Sequence, residues 1–451
     1  MMKTRLNRNV FIRHAGEESL LWRPRTGASF VLKDAMPLLE EIGREWRSEW
    51  DIIDAYAAKV DCQSNEVAEV TFDIFEALQA EGLIQCEGFR ERGNGFMPVT
   101  TTPAKQIEDD DAVSPVEEFC RRHHVVSELH IDLTDGCTER CVHCYVPRKE
   151  VHQLPYADIE KVLRDFRDLQ GLTVHITGGE CMMHPDFVRI CRLCKQLELN
   201  IIIFSNLTLC DARMVDALRE IDPQFINVSL YAMNAGAHDA ITRLPGSWKK
   251  TMDAIDRCQR AGVHIRLAAP VLKANQGEFA ALHQFAKSHR VHLIPSCDIV
   301  PMADHCCSNL DHVCSACELR AVLSANKGLF DRGWNGQMPD VDAKVCDIGA
   351  TRLYLNAKGE YYPCDSMHGY VLGTVRENTL EEVWHGEKLN YLRSLKNKDF
   401  GKCASCEHRP WCKVCPAFNF NATEDLFKTI PAKCAVSGVI HEVYGGKCDV
   451  A

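Results

Sequence analysis

Over the first 92 residues, short alternating apolar runs give way to helical spacing. Val10–Arg13 and Ser19–Trp22 read as strands on either side of the turn-like His14-Ala-Gly-Glu17, and Ser29–Leu32 reads as a third. Asp34 is placed to cap a helix with Met36, Leu38, Leu39, Ile42 and Trp46 at helical spacing. Ile52, Ile53, Tyr56, Ala57 and Val60 predict a second helix. A third, Val67–Glu81, should end at Gly82, after which Leu83-Ile84 returns to extended structure. Residues 93–126 lose this patterning. Gly93-Asn-Gly95, Pro98, Thr100-Thr-Thr-Pro103 and Glu108-Asp-Asp-Asp111 have the composition of a linker.

From His130 the rhythm changes to short apolar runs alternating with amphipathic helices, the βα pattern of a parallel sheet. The predicted strands are 130–133, 172–177, 200–206, 225–231, 263–271 and 291–297, with helices such as 157–169 and 185–197 between them. Six βα units are too few for a closed eight-fold barrel, so the expected fold class is α/β: a partial (β/α)6 barrel over 127–300. An N-terminal winged-helix-like α+β domain (1–92) precedes it. A bridging region (301–345) and a small C-terminal domain (346–451) follow. In such a barrel the chemistry belongs at the C-terminal ends of the strands.

Composition narrows the picture. The chain has 451 residues, 46% hydrophobic and 25% charged, as expected of a globular protein of several domains. The N-terminus has no apolar h-region and no segment reaches eighteen unbroken apolar residues, so the expected location is cytoplasmic. There, 24 cysteines point to metal or redox chemistry rather than to disulfides. A net charge of −11 argues against non-specific nucleic-acid binding.

Cys137, Cys141 and Cys144 follow the first barrel strand as C-x3-C-x2-C. Three thiolates so spaced can hold three corners of a cubane iron–sulfur cluster and leave one iron open. Zinc sites pair their ligands as C-x2-C with a second pair downstream, which this triplet does not do. Gly178-Gly179-Glu180 ends the second strand, Ser205-Asn206 the third, and Ser229 lies near the end of the fourth. Cys181 reads as a small apolar filler close to the same centre.

These motifs resemble the radical S-adenosylmethionine superfamily. The resemblance implies that Cys137, Cys141 and Cys144 hold a [4Fe–4S] cluster whose open iron chelates S-adenosylmethionine. It further implies that Gly178, Gly179 and Glu180 meet the cofactor's amino group and that Ser205, Asn206 and Ser229 meet its ribose or carboxylate. His143 would stand beside the adenine. The family's Arg beyond the fourth strand is displaced by one place here, so Thr242 or Arg243 inherits the carboxylate contact. The implied chemistry is reductive cleavage to a 5′-deoxyadenosyl radical, driven by an external one-electron reductant of the flavodoxin or ferredoxin kind.

Further thiols follow. Cys297, Cys306, Cys307, Cys314 and Cys317 remain open between ligation, another metal site and redox thiols. Beyond them, Cys346, a hairpin-like Thr351–Cys364 with Gly359 in its turn, C-x2-C-x5-C-x2-C (Cys403, Cys406, Cys412, Cys415) and Cys434 give seven thiols, more than one cluster needs. This framework resembles the SPASM domain, although the last gap is x2 where the family has x3. The resemblance assigns Cys403, Cys406, Cys412 and Cys434 to one auxiliary [4Fe–4S] cluster and Cys346, Cys364 and Cys415 to another. The fourth ligand of the latter is a bridge cysteine or absent.

A winged helix can read DNA or capture a peptide on a strand edge, and the acidic third helix, Asn65–Glu76, is wrong for phosphates. The order of elements resembles the precursor-peptide recognition element of enzymes that modify ribosomally made peptides. The expected function is therefore a radical peptide maturase whose partner is a precursor peptide with a leader, installing a thioether, a C–C or C–O crosslink or an epimerised centre. Alternatives are a protein-modifying enzyme of the sulfatase-maturase kind and a non-catalytic iron–sulfur carrier or DNA-binding redox regulator.

Overall fold

The computed structural model describes residues 2–88, 90–92, 95–97, 114–146, 150–331, 333–334 and 336–447. The chain forms two compact units. One holds residues 1–127 with 170–172 and 198–200, and the other holds the rest.

In the N-terminal unit the expected strands form an antiparallel sheet of β2 (Phe11–Ala15), β3 (Glu18–Arg23) and β4 (Ala28–Lys33). A second sheet, missed in the sequence, pairs β1 (Lys3–Leu6) with β5 (Arg47–Ser48) and β6 (Ile84–Glu87), and β7 (Arg90–Arg92) pairs with β8 (Gly95–Met97). Helices Met36–Glu41, Glu49–Lys59 and Ser64–Ala80 follow the predicted order. Asp34 does not cap the first of them. It sits at φ +51° in the preceding turn, the helix starts after Ala35, and Trp46 lies beyond its end. Gly82, at φ +68°, supplies the left-handed residue that stops the third helix. Leu38, Ile52, Ile53, Phe75 and Leu78 share one buried core with Val10 and Leu21. The linker expectation fails in part. Residues 98–113 lie outside the described residues, but Ser114 caps a helix, Pro115–Arg122, whose Phe119 and Cys120 bury against Leu20 and Val125.

The second unit is built on one nine-stranded sheet. Strands β9 (Glu128–Asp132), β10 (Thr173–Thr177), β11 (Asn200–Ser205), β12 (Phe225–Ser229), β13 (Ile265–Pro270) and β14 (His292–Ser296) lie side by side in sequence order. This is the partial barrel of six parallel strands. Every predicted strand is present: the first begins two residues earlier than expected, and the other five are trimmed by one or two residues at an end. Leu129, Ile131, Val174 and Ile176 bury completely on one face. The other face is polar and aromatic: His130 lies opposite His175 in register, the two rings stacked 4.0 Å apart.

The sheet does not stop at six strands. β15 (Arg352–Leu355) joins β9 in parallel register, and β16 (Glu360–Tyr362) and β17 (Gly373–Thr374) add antiparallel strands beyond it. The predicted hairpin around Gly359 (φ +83°) is therefore an extension of the barrel sheet. Residues 128–169, 173–197 and 201–451 pack as one unit. No helix among the described residues is long and apolar enough to cross a membrane.

Candidate functional site

The loop after β9 carries the cysteine triplet, and the end of β10 holds that loop in place. Gly179 N donates to Thr134 O and Glu180 N to Gly136 O, both at 2.8 Å. A Cβ on Gly178 would stand 2.2 Å from Thr134 O, and one on Gly179 would stand 2.3 Å from Gly136 O. Gly178 also adopts φ +126°, where a side chain is strained. The two glycines thus let two stretches of backbone meet. From the other side, Arg140 N donates to Thr242 O and Val142 N to Ile241 O, so the helix Ala235–Thr242 braces the same loop.

Cys137, Cys141 and Cys144 are half-buried and close enough for each to bear on the others' charge. Burial foremost, then Glu139 and the neighbouring thiols, push the Cys141 thiol well above its ordinary value. Glu139 N (3.4 Å) and Asn206 Nδ2 (3.6 Å) point at Cys137 Sγ. Three converging thiols with amide donors aimed at sulfur fit an iron–sulfur cluster, whose iron supplies the charge that favours thiolates.

Glu180 is fully buried. Its carboxylate accepts from Met182 N (3.1 Å), Asn206 N (2.8 Å) and Ser205 Oγ (2.9 and 3.0 Å). Burial raises its pKa and these donors oppose the rise. The carboxylate thereby ties the ends of β10 and β11 together, a role the sequence did not show. Asn206 reaches Thr138 Oγ1 at 3.1 Å, and Ser229 bears on the hydroxyl of buried Tyr231. His143 stacks edge-on against Tyr231 at 4.8 Å, and burial lowers its pKa to about 4, so the ring is neutral. Thr242 Oγ1 shares a 2.7 Å hydrogen bond with Ser247 Oγ inside the fold. Arg243 is an exposed helix cap at φ +54°. Cys181 is buried as a filler, its Sγ 3.3 Å from Phe204 O.

The C-terminal thiols gather in the two predicted groups. Cys403 feels Cys412, Cys434 and Cys406, while Cys364 feels Cys415 and Cys346. Lys433 lies near Cys412 and Cys415. Burial works against its charge, but Asp298, 2.7 Å away, holds its pKa above the ordinary value. Among the bridge thiols, Cys306 bonds Ser308 (3.3 Å), Cys307 bonds His305 O (4.0 Å), and Cys317 lies 4.0 Å from Arg320.

A cavity of ≈ 530 Å³ opens at the end of β9, lined among others by Asp132, Asp135, His152, Lys358, Tyr362 and His368. Tyr145, the residue after Cys144, is half-buried and close enough to Cys144 and Cys364 to feel both thiols. Its ring lies 4.9 Å from His368, which is 5.2 Å from Tyr354. Asp132 and Tyr354 were not singled out in the sequence, although a carboxylate at the C-terminal end of a barrel strand was a signal to follow.

An open parallel barrel with three thiols on its first strand-end loop and two further thiol groups behind it defines an iron–sulfur enzyme of the radical class. Residues 131–286 match the radical SAM superfamily and residues 346–407 the SPASM iron–sulfur cluster-binding domain. The chain is a radical S-adenosylmethionine enzyme with a SPASM domain, and its cofactors are S-adenosylmethionine and [4Fe–4S] clusters. The AdoMet-dependent heme synthase of Methanosarcina barkeri is 25% identical over 336 residues, covering 66% of this chain and 94% of that one. The structure of Streptococcus suis SuiB bound to precursor peptide SuiA has a TM-score of 0.60 at 15% identity, covering 95% of this chain and 99% of that one. The structure of anSMEcpe with bound AdoMet and the Cp18Cys peptide has a TM-score of 0.57 at 15% identity, covering 71% and 97%.

Proposed function

We propose that this enzyme is a peptide maturase that acts on a ribosomally made precursor, installing a thioether, a crosslink or an epimerised centre. The observation that carries this reading is the N-terminal unit, a winged-helix-like module with its own core ahead of the barrel. Its likeness in fold to a peptide-bound enzyme runs the length of the chain. Val70, on an acidic helix, and Trp50 are exposed apolar residues there, suited to a leader laid along the module.

Cys137, Cys141 and Cys144 would hold the cluster that binds S-adenosylmethionine, which supplies hydrogen-atom abstraction from an unactivated C–H bond. Gly178 and Gly179 bring the end of β10 against the thiol loop. Glu180, Ser205 and Asn206 fix the floor on which the cofactor rests, His143 offers a neutral ring to its adenine, and Ser229 completes the rim, while Thr242, buried with its hydroxyl on Ser247, braces the thiol loop through its carbonyl. Cys403, Cys406, Cys412 and Cys434 would hold one auxiliary cluster, and Cys346, Cys364 and Cys415 a second. A flavodoxin- or ferredoxin-like protein supplies electrons in the cytoplasm.

The heme synthase relative favours a second reading, an iron tetrapyrrole as substrate. Amide hydrogen exchange separates the two, using a synthetic candidate precursor peptide and, in parallel, an iron porphyrin. The peptide should protect strands and helices within residues 2–88 and stimulate 5′-deoxyadenosine formation. Stimulation by the porphyrin, with no protection by the peptide, would overturn the peptide reading.

A further inference from the structure

β9 runs from Glu128 to Asp132 and delivers its last side chain to the cavity beside the thiol loop. Among the buried carboxylates near this end of the barrel, Glu180 and Asp132 differ in their surroundings. Glu180 is saturated by two backbone N–H donors and a hydroxyl, as a structural carboxylate should be. Asp132 receives one donor, the Tyr354 hydroxyl on Oδ2, and the same residue lines the cavity wall. Buried carboxylates kept for structure alone are paired with cations or with several donors. Among the described residues, Asp132 has neither arrangement.

We infer that Asp132, held in place by Tyr354, is the group that takes a proton from the substrate bound in this cavity. The inference rests on the reading of the chain as a radical enzyme that acts on a substrate carrying an S–H, O–H or N–H group. The step is a simple transfer. The X–H bond breaks, its electron pair stays on the heteroatom as the nucleophile, and the proton forms a neutral carboxyl on Asp132. No electron changes owner in this step.

The surroundings suit an acceptor that works near neutrality. Burial first, then Asp135 and Asp365, raise the pKa of Asp132 to about 7, against the lowering effect of the Tyr354 hydrogen bond. Such a carboxyl can both accept and release a proton at working pH. The groups facing it are Tyr354 and Tyr362 from the added strands, Tyr145 from the thiol loop, and Asp365 and His368 from the loop after Cys364. Asp135, which is held by His152 at 2.8 Å, completes the set, with His130 two residues back on the same strand. Burial keeps both Tyr145 and Tyr354 protonated, and it lowers His368 to about 4, so all three stay neutral.

The test is an infrared pH titration of the full-length, cluster-loaded enzyme without substrate, read at the carboxyl C=O stretch. A band that appears as pH falls through about 7 is expected, absent in Asp132→Asn and moved to higher pH in Tyr354→Phe, which loses the lowering hydrogen bond. With a substrate that the wild-type enzyme modifies, Asp132→Asn should cut product formation by about 10²–10⁴-fold. Asp132→Glu should recover part of it, and Tyr354→Phe should move the acid limb of the pH profile upward. A band that survives Asp132→Asn, a limb unmoved by Tyr354→Phe, or wild-type product formation by Asp132→Asn would overturn the assignment. The infrared arm needs no substrate, so it stands whether the natural substrate is a peptide or a tetrapyrrole.

Discussion

Replacing Gly178 with alanine should loosen the thiol loop without touching a thiol. A Cβ there would lie 2.2 Å from Thr134 O and 3.3 Å from Thr134 N, and no flexible side chain can move aside to relieve a clash with backbone. The φ of +126° adds strain of its own. Separating the two backbones would also break the 2.8 Å bond from Gly179 N to Thr134 O. Overpacking, strain and a lost buried hydrogen bond together amount to about 3–6 kcal/mol. At about 1.4 kcal/mol per tenfold, the amides of Gly179 and Glu180 should exchange about 100-fold faster or more. Mass-spectrometric hydrogen exchange on peptides spanning 173–181 and 133–144 reads this directly. Gly246→Ala is the control: it shares a left-handed φ of +80°, but a Cβ there meets nothing within 4 Å, so it should cost only about 1 kcal/mol. Wild-type protection in Gly178→Ala would show that the glycines do not join the two backbones.

Cys137→Ala should abolish 5′-deoxyadenosine formation and lower bound iron by about four atoms per chain, the content of one cluster. Ser205→Ala removes the hydroxyl shared by both Glu180 oxygens and should cost about 1–3 kcal/mol in unfolding stability, a cost that shrinks as pH falls and Glu180 takes up a proton. Asp132 has a folded pKa raised to about 7 from 3.8, so the folded state binds more protons between those values and its contribution to stability falls as pH rises. Asp132→Asn should therefore gain on wild type from pH 4 to 7, by up to about 4 kcal/mol, and gain no more above that. A stability difference that is flat over this range would refute the shift. Lys433→Met removes a buried cation near Cys412 and Cys415 and should lower the reduction potential of the auxiliary site in an electron paramagnetic resonance titration.

Much of the barrel was legible because its strands read as short apolar runs between amphipathic helices. The Cys137–Cys144 triplet was legible because its spacing is local, and the two C-terminal groups gather as the SPASM resemblance implied. What stayed hidden depends on contacts distant in sequence. Arg352–Leu355 read correctly as a strand, but only tertiary pairing makes it the neighbour of Glu128–Asp132. Lys3–Leu6 is too short and polar to announce itself, and its strand partners lie more than forty residues away. The bonds that Glu180's carboxylate accepts from Ser205 and Asn206 were hidden for the same reason, since these donors stand about twenty-five residues on, at the end of the next strand. The backbone donors within reach of Asp34 and Ser114 were equally local, yet only Ser114 sits in the extended backbone a cap requires.

Deuterium transfer tests the central claim most directly. A candidate precursor peptide, made with its core residues deuterated, is incubated anaerobically with reduced enzyme and S-adenosylmethionine. A maturase should return 5′-deoxyadenosine carrying one deuterium, in step with modified peptide. Unlabelled 5′-deoxyadenosine with intact peptide would contradict the claim.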